Sequence, residues 1–148
     1  MEVLSVSRDR YPELIEVWEA SVRATHHFLS EEYINELKPL ILERYLDAVE
    51  LRQGSVAGQL VGFLGVADTT IEMLFVRPDF FGKGVGTMLV EYAIAHFGVT
   101  KVDVNEQNPD AIAFYKKMGF ALSGRSELDG QGNPFPLVHM VRDGTSGL

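Results

Sequence analysis

Residues 77–98, RPDFFGKGVGTMLVEYAIAHFG, carry glycine at every second position, 82, 84 and 86, between a segment that reads as a strand and one that reads as a helix. Glycine weakens either element by roughly 0.5–1 kcal/mol relative to alanine, so three together at such a junction imply a turn whose backbone something approaches closely. Upstream, TTIEMLFV is short, apolar and rich in strand formers. Downstream, Val85, Met88, Leu89, Tyr92, Ala93 and His96 recur at helical spacing and make one face about three turns long. Successive backbone N–H groups running into a helix N-terminus form an anion site, and phosphate is a common occupant. The spacing is not that of a Walker A loop, which needs Lys and then Ser or Thr after the last glycine. It is not G-x-G-x-x-G either, because Thr87 stands where the third glycine would be.

The elements around this turn follow from local pattern. Residues 2–7 alternate like a strand, and Leu14, Ile15, Trp18 and Val22 predict a helix over 11–24. Ser30 reads as the N-cap of a second helix carrying Ile34, Leu37, Ile41 and Tyr45, which Pro39 should kink or divide. From Ala48 the short apolar runs AVELRQ, QLVGFLGVA and TTIEMLFV, separated by turn residues, predict a meander of three strands. After the glycine-led helix come a short strand, TKVDV, and a helix with legible ends. Asn108 suits its N-cap, Pro109 its first position, Asp110 its positive pole and Gly119 its C-terminus. Two closing strands, 120–127 and 137–142, flank the turn-rich DGQGNPFP. This order predicts an α/β (α+β) fold with helices packed on a mixed sheet, and a ligand at the glycine turn between strand and helix.

Bulk properties narrow the function. With 148 residues, 46% of them hydrophobic, the chain supports one domain, 1–148, with its own core. No apolar run approaches about 18 residues, and the start lacks the pattern of a secretory signal, so neither a membrane span nor export is expected. The absence of cysteine removes disulfides, thiolate metal sites and a cysteine nucleophile, which suits a cytoplasmic location. The net charge of −8 disfavours nucleic acid as a partner and favours a cationic substrate. Around the glycines Arg77 and Lys83 outnumber Asp79, so an anionic ligand still fits there. The four histidines lack paired ligand spacing, and no metal is expected.

Two stretches taken together, IEMLFVRPDFFGKGVGTMLVEYA and VNEQNPDAIAFYKKMGF, resemble the GNAT superfamily of acetyl-CoA-dependent N-acetyltransferases. The family pattern is a strand ending L-x-V-x-P, a loop R/Q-x-x-G-x-G/A, and later N-x-x-A-x-x-F/Y-Y-x-K-x-G-F. Asn108, Ala111, Phe114, Tyr115, Lys117, Gly119 and Phe120 match the last of these. One departure is Phe81, which stands where the family has Arg or Gln. The resemblance implies a mostly antiparallel sheet of about seven strands flanked by about four helices. It implies acetyl-CoA as cosubstrate, a primary amine as acceptor and a monomer or homodimer.

The resemblance also implies residue roles. Gly82, Lys83, Gly84, Val85, Gly86 and Thr87, with Phe81 at the loop's start, would cradle the pyrophosphate. Leu74, Phe75 and Val76 would offer backbone groups to the pantetheine as to an added strand, Val76 N–H would hold the thioester oxygen, and Asn108 would bond the pantetheine. An amine nucleophile must shed a proton while the departing thiolate gains one. Tyr115 takes the acid role, although its helical stripe with Ala111, Phe114 and Met118 equally suits a core tyrosine. The base is open among Glu72, which alternates with Leu74 and Val76, Asp103, His26 and ordered water. Acceptor walls are expected from the first two helices and residues 129–136. The alternatives are a non-catalytic acyl-CoA sensor and, against the glycine spacing, a nucleotide-dependent oxidoreductase.

Overall fold

The computed structural model describes residues 1–142; the last six residues of the expected 1–148 domain lie outside them. The strands are β1 (Glu2–Ser5), β2 (Glu50–Val56), β3 (Gln59–Ala67), β4 (Thr70–Val76), β5 (Lys101–Asn105), β6 (Ala121–Ser126) and β7 (Leu137–Val141). The helices are α1 (Tyr11–Thr25), α2 (Glu31–Leu40), α3 (Val85–Phe97) and α4 (Pro109–Lys117). The seven strands form one sheet in the order β1-β2-β3-β4-β5-β7-β6, antiparallel except for the β4–β5 pair.

Capping residues act where the sequence places them. The Ser30 hydroxyl accepts from Tyr33 N–H at 3.1 Å, and the Asn108 side-chain oxygen accepts from Ala111 N–H at 3.2 Å. Gly84 and Gly98 bracket α3 in left-handed conformations, φ 87° and 62°. Pro39 does not end α2 but changes its pitch: the helix runs to Leu40 and widens into a π turn over Ile41–Tyr45. Proline lacks the N–H for one i→i−4 bond and its ring crowds the preceding turn, yet Ile41 N–H still reaches the Leu37 and Lys38 carbonyls before the π turn begins.

The helices make two layers on the sheet. Leu14, Val17, Trp18, Val22, Ile34 and Ile41 pack with Leu51, Leu60 and Phe63 on one face. Val85, Leu89, Val90 and Ala93 of α3 and Tyr115 of α4 pack with Leu64, Val66, Val102, Val104 and Met140 on the other. β3 is therefore buried on both faces, which is why LVGFLGV reads as a continuous apolar run.

Two departures from regular pairing set the shape of β4. β4 and β5 pair only through Thr70–Lys101 and Ile71–Val102, then diverge. Along β3–β4 the register passes from Gly65–Met73 to Val66–Ile71, leaving Glu72 as a bulge residue. Consequently Ile71, Leu74 and Val76 face the α3 layer while Met73 and Phe75 face the α1 layer. The expected alternation of Glu72 with Leu74 and Val76 is thus broken: the extra residue reverses parity, and Glu72 joins the α1–α2 face.

The close packing of β3 against β4 requires Gly62, where a Cβ would stand 2.9 Å from the Phe75 carbonyl oxygen and 3.2 Å from Val85 Cγ1. A backbone carbonyl cannot swing aside, so Gly62→Ala should lower unfolding stability by about 1–3 kcal/mol. Urea unfolding checks this, and parental stability would contradict the register.

Candidate active site

The divergence of β4 from β5 opens a cleft of about 560 Å³. Leu74, Phe75 and Val76 form one wall, the turn from Phe80 to Thr87 another, and Asn108, Ala111, Phe114 and Tyr115 of the α4 region a third; Ser21, Thr25 and His26 of the α1 end complete it. Arg77 N–H donates to the Val61 carbonyl at 2.7 Å. Antiparallel alternation then turns the N–H and C=O of Val76 and Leu74 away from β3 and toward the opening. These strand groups, unpaired with β5, are what an extended ligand can use.

At the turn, Gly82 and Gly84 have φ 73° and 87°, values only glycine adopts readily. A Cβ on Gly82 would meet nothing within 4 Å, and one on Gly84 only Met1 Cε at 3.7 Å, so both face open space. Gly86 has a different reason: its Cβ would press on Phe114 Cζ at 3.4 Å, so it lets α4 lie close to the first turn of α3. Val85 is buried in the core, which leaves its backbone for the cleft. Lys83 Nζ sits 5.3 Å over the Phe80 ring, outside the cleft lining, and Phe81 stands 43% exposed at the rim. Positive potential in the cleft therefore comes chiefly from backbone N–H groups and the α3 N-terminus.

Tyr115 is buried against Phe114 and Phe120, with ring centroids at 5.1 and 5.6 Å. No described side chain bonds its hydroxyl, and no buried polar side-chain atom among the described residues lacks a partner, so the hydroxyl opens into the cleft. Burial pushes its pKa well above that of an ordinary phenol. The group stays protonated across the physiological range. Asn108 spends its carboxamide oxygen on the α4 cap, which leaves its N–H₂ free to donate.

A second cleft of about 330 Å³ adjoins the first. Its walls are Trp18, Val22, Leu29, Tyr33 and Leu37 of the α1–α2 region, Glu72 and Phe75 of β4, Asn105, and residues 129–131, Phe135 and Leu137. His26 and Phe75 line both clefts. Loop residues hold α2: Asn133 Nδ2 donates to the Tyr33 hydroxyl at 3.1 Å and Gln131 Nε2 donates to the Tyr45 hydroxyl. Glu72 and Asp129 bring carboxylates, and no Lys or Arg lines the space. Partial desolvation, then the Asp103 charge, raise the Glu72 pKa.

Of the four residues expected to do acid–base chemistry, the structure brings Tyr115 and His26 to the first cleft and Glu72 and His26 to the second. Asp103 lines neither. It lies opposite His139 on β7 and meets its Nδ1 at 2.6 Å, while His139 Nε2 lies 2.6 Å from Ser126 Oγ. Asp129 lies in the 129–136 stretch expected to wall the acceptor, whereas Ser21, Thr25 and Asp110 line the larger cleft, where no local pattern placed them. Among the described residues no group of three or more potential ligands gathers for a metal, and no helix is long and apolar enough to cross a membrane.

The acetyltransferase (GNAT) domain model matches residues 49–122, which include the diverging strand, the glycine turn and α4. Peptidyl-lysine N-acetyltransferase YjaB of Escherichia coli K12 is 41% identical over 142 residues, 94% of this chain and 97% of that protein. The chain belongs to the GNAT acetyltransferase family. The solution structure of apo-form YjaB from Escherichia coli covers 95% of each chain with a TM-score of 0.86 at 39% identity. PaiA N-acetyltransferase from Thermoplasma acidophilum, solved with coenzyme A, shares the fold at a TM-score of 0.78 and 21% identity, over 96% of this chain and 98% of that one. The expected superfamily and its mostly antiparallel seven-stranded fold with four helices are both found.

In this GNAT acetyltransferase the glycine turn offers a direct test of the larger cleft. Gly84→Val puts a branched side chain where a phosphate would approach, and its left-handed backbone costs roughly 1–2 kcal/mol in addition. Acetyl-CoA affinity measured by calorimetry should fall at least about 10-fold while the melting curve stays cooperative. Unchanged affinity would remove this cleft as the cofactor site.

Proposed function

We propose that the chain transfers the acetyl group of acetyl-CoA to the ε-amino group of a lysine on a peptide or protein, by direct attack in a ternary complex. The observation that carries this reading is the meeting of two unlike clefts at His26 and Phe75. One is a wedge with free strand amides and a helix N-terminus, suited to pantetheine and pyrophosphate. The other has aromatic and aliphatic walls with carboxylates and no cation, suited to a long aliphatic stem ending in an ammonium. Lysine is chosen over a small polyamine because the YjaB relative, at 41% identity, is a peptidyl-lysine N-acetyltransferase. The domain works as one unit over 1–148, and we assign it to the cytoplasm.

Residue roles follow from reach. Backbone groups of Leu74 and Val76 pair with the pantetheine, Phe75 closes over it, and Val76 N–H receives the thioester oxygen as it gains charge. The turn amides of residues 82–87 hold the pyrophosphate, with Phe81 and Lys83 at its edge, and Asn108 Nδ2 donates to the pantetheine. The amine lone pair attacks the acetyl carbon, the C–S bond breaks, and N-acetyl-lysine and coenzyme A leave. A free phenol near pKa 10 is already a reluctant donor to a thiolate near 8.5, and burial makes Tyr115 more so. Tyr115 therefore stabilises the departing sulfur through an O–H···S⁻ hydrogen bond and keeps its own proton, and the thiolate takes its proton from solvent as it leaves.

An acyl-CoA sensor remains the second reading, favoured by Phe81 in place of Arg or Gln. Incubation of the purified chain and acetyl-CoA with lysine peptides, free lysine and polyamines, followed by mass spectrometry, separates the two. Acetylated peptide supports the enzyme, and bound but unconsumed acetyl-CoA supports the sensor.

Two substitutions test the roles. Tyr115→Phe keeps the ring contacts and should lower kcat by about 10- to 1000-fold with little change in melting temperature or acetyl-CoA affinity; full turnover would leave Tyr115 a core residue. Glu72 acts as the ammonium's counter-charge, so Glu72→Gln should raise the peptide KM by about 10- to 100-fold, the worth of a hydrogen bond to a charged group. Because the Glu72 pKa is raised, its contribution is present above that pKa and lost as pH falls through it, at a higher pH than for an ordinary glutamate. The parent's KM should rise accordingly on acidification, and the variant's should not.

A further inference from the structure

Among the described residues His26 is the only titratable group that lines both clefts, so it stands where an acceptor amine and a thioester would meet. Its hydrogen bonding also fixes which nitrogen is available. The Thr25 hydroxyl donates its single hydrogen to the Ser21 carbonyl at 2.8 Å. Both contacts are kept when the same oxygen accepts from His26 Nδ1 at 2.7 Å, an arrangement that puts the ring proton on Nδ1. In the neutral ring Nε2 then bears the lone pair, and no described group bonds to it.

We propose that His26 Nε2 is the general base that takes the proton from the attacking amine, and that Thr25 is a positioning residue whose hydroxyl holds the imidazole in the Nδ1–H tautomer. This rests on the acetyl-transfer reading above. Asp103 reaches neither cleft, and Glu72 borders only the acceptor side, so neither touches both reactants.

The surroundings support a neutral ring. Burial, then the adjacent His27, lower the His26 pKa, and the ring packs 5.3 Å from Phe28. The other ionisable groups at the two clefts are Tyr33 on α2, Glu72 on β4, Asp110 and Tyr115 on α4, and Asp129 before β7. Burial is the larger of the two causes that act on His26, and both lower its pKa. A free lysine ammonium and an imidazole differ by about 4 pKa units in the wrong direction for simple transfer. The attacking species is the neutral amine, whose first proton has gone to solvent: its lone pair forms the N–C bond, the thioester C=O pair goes to oxygen, the now acidic N–H passes its proton to Nε2, and the C=O re-forms as the C–S bond breaks. The imidazolium returns it to solvent after the thiolate leaves.

The test combines kinetics with a spectroscopic readout on the full chain. For the parent, kcat with a saturating lysine peptide should fall on the acid side through a midpoint below that of free histidine, because the base is active only when unprotonated. His26→Gln should lower kcat at pH 7 by about 100-fold or more and abolish that limb while keeping the acid rise in KM that Glu72 causes, with acetyl-CoA affinity within about 3-fold of the parent by calorimetry. Thr25→Val should lower kcat by about 10-fold and displace the limb, and Thr25→Ser should restore both. Long-range ¹⁵N–¹H NMR of the ring should show the Nδ1–H tautomer in the parent and a mixture in Thr25→Val. His26→Gln within 3-fold of the parent with the acid limb intact, or an Nε2–H tautomer in the parent, would overturn the proposal while leaving acetyl transfer standing. A parent that binds acetyl-CoA yet acetylates no peptide would overturn the acetyl-transfer reading, and the base with it.

Discussion

The divergence of β4 from β5 after two residue pairs governs the rest of this molecule. Strand edges inside a protein ordinarily find partners, because an unpaired N–H or C=O removed from water is unfavourable. Here the backbone groups of Leu74 and Val76 face a cleft instead. The chain thus leaves its sheet open along one strand edge, with the free backbone groups that an extended ligand could pair with. The crossover through α3 brings the helix N-terminus to the mouth of the same opening, so one topological feature supplies both the strand-like and the anion-binding parts of the site.

The bulge at Glu72 is the counterpart on the acceptor side. Without the extra residue, Met73 and Phe75 would turn into the α3 layer and Leu74 and Val76 into the α1 layer, inverting both walls. With it, Phe75 and Glu72 share the face that α1 and α2 cover, and Phe75 divides the clefts. The electrostatic division follows the same line. Backbone dipoles make the cofactor side positive although the whole chain carries −8, and carboxylates make the acceptor side negative. The two clefts therefore carry opposite local fields a short distance apart.

Beyond the acceptor cleft, Asp103, His139 and Ser126 form a hydrogen-bonded row across β5, β7 and β6. The row bears on the site through the Asp103 charge, which helps keep the Glu72 pKa raised. A carboxylate expected at the site instead acts, from outside it, on one that lines the second cleft.

The sequence alone determined the elements and their ends: Ser30, Asn108, Gly84, Gly98 and Gly119 act through their own backbone or a partner three residues away, so their meaning is local. It also marked the glycine turn that walls the larger cleft, because a glycine cluster between strand and helix implies a turn open to close approach. Only the tertiary structure decided that Gly86 serves packing against Phe114, that Lys83 lies over Phe80, and that Asp103 belongs to His139. It alone decided on which face Glu72 falls and that His26 stands between the clefts. A bulge depends on how many residues the partner strand presents, and a junction depends on where distant elements stop. Neither is written in the spacing of a single segment, because each is set by pairing between residues far apart in the chain.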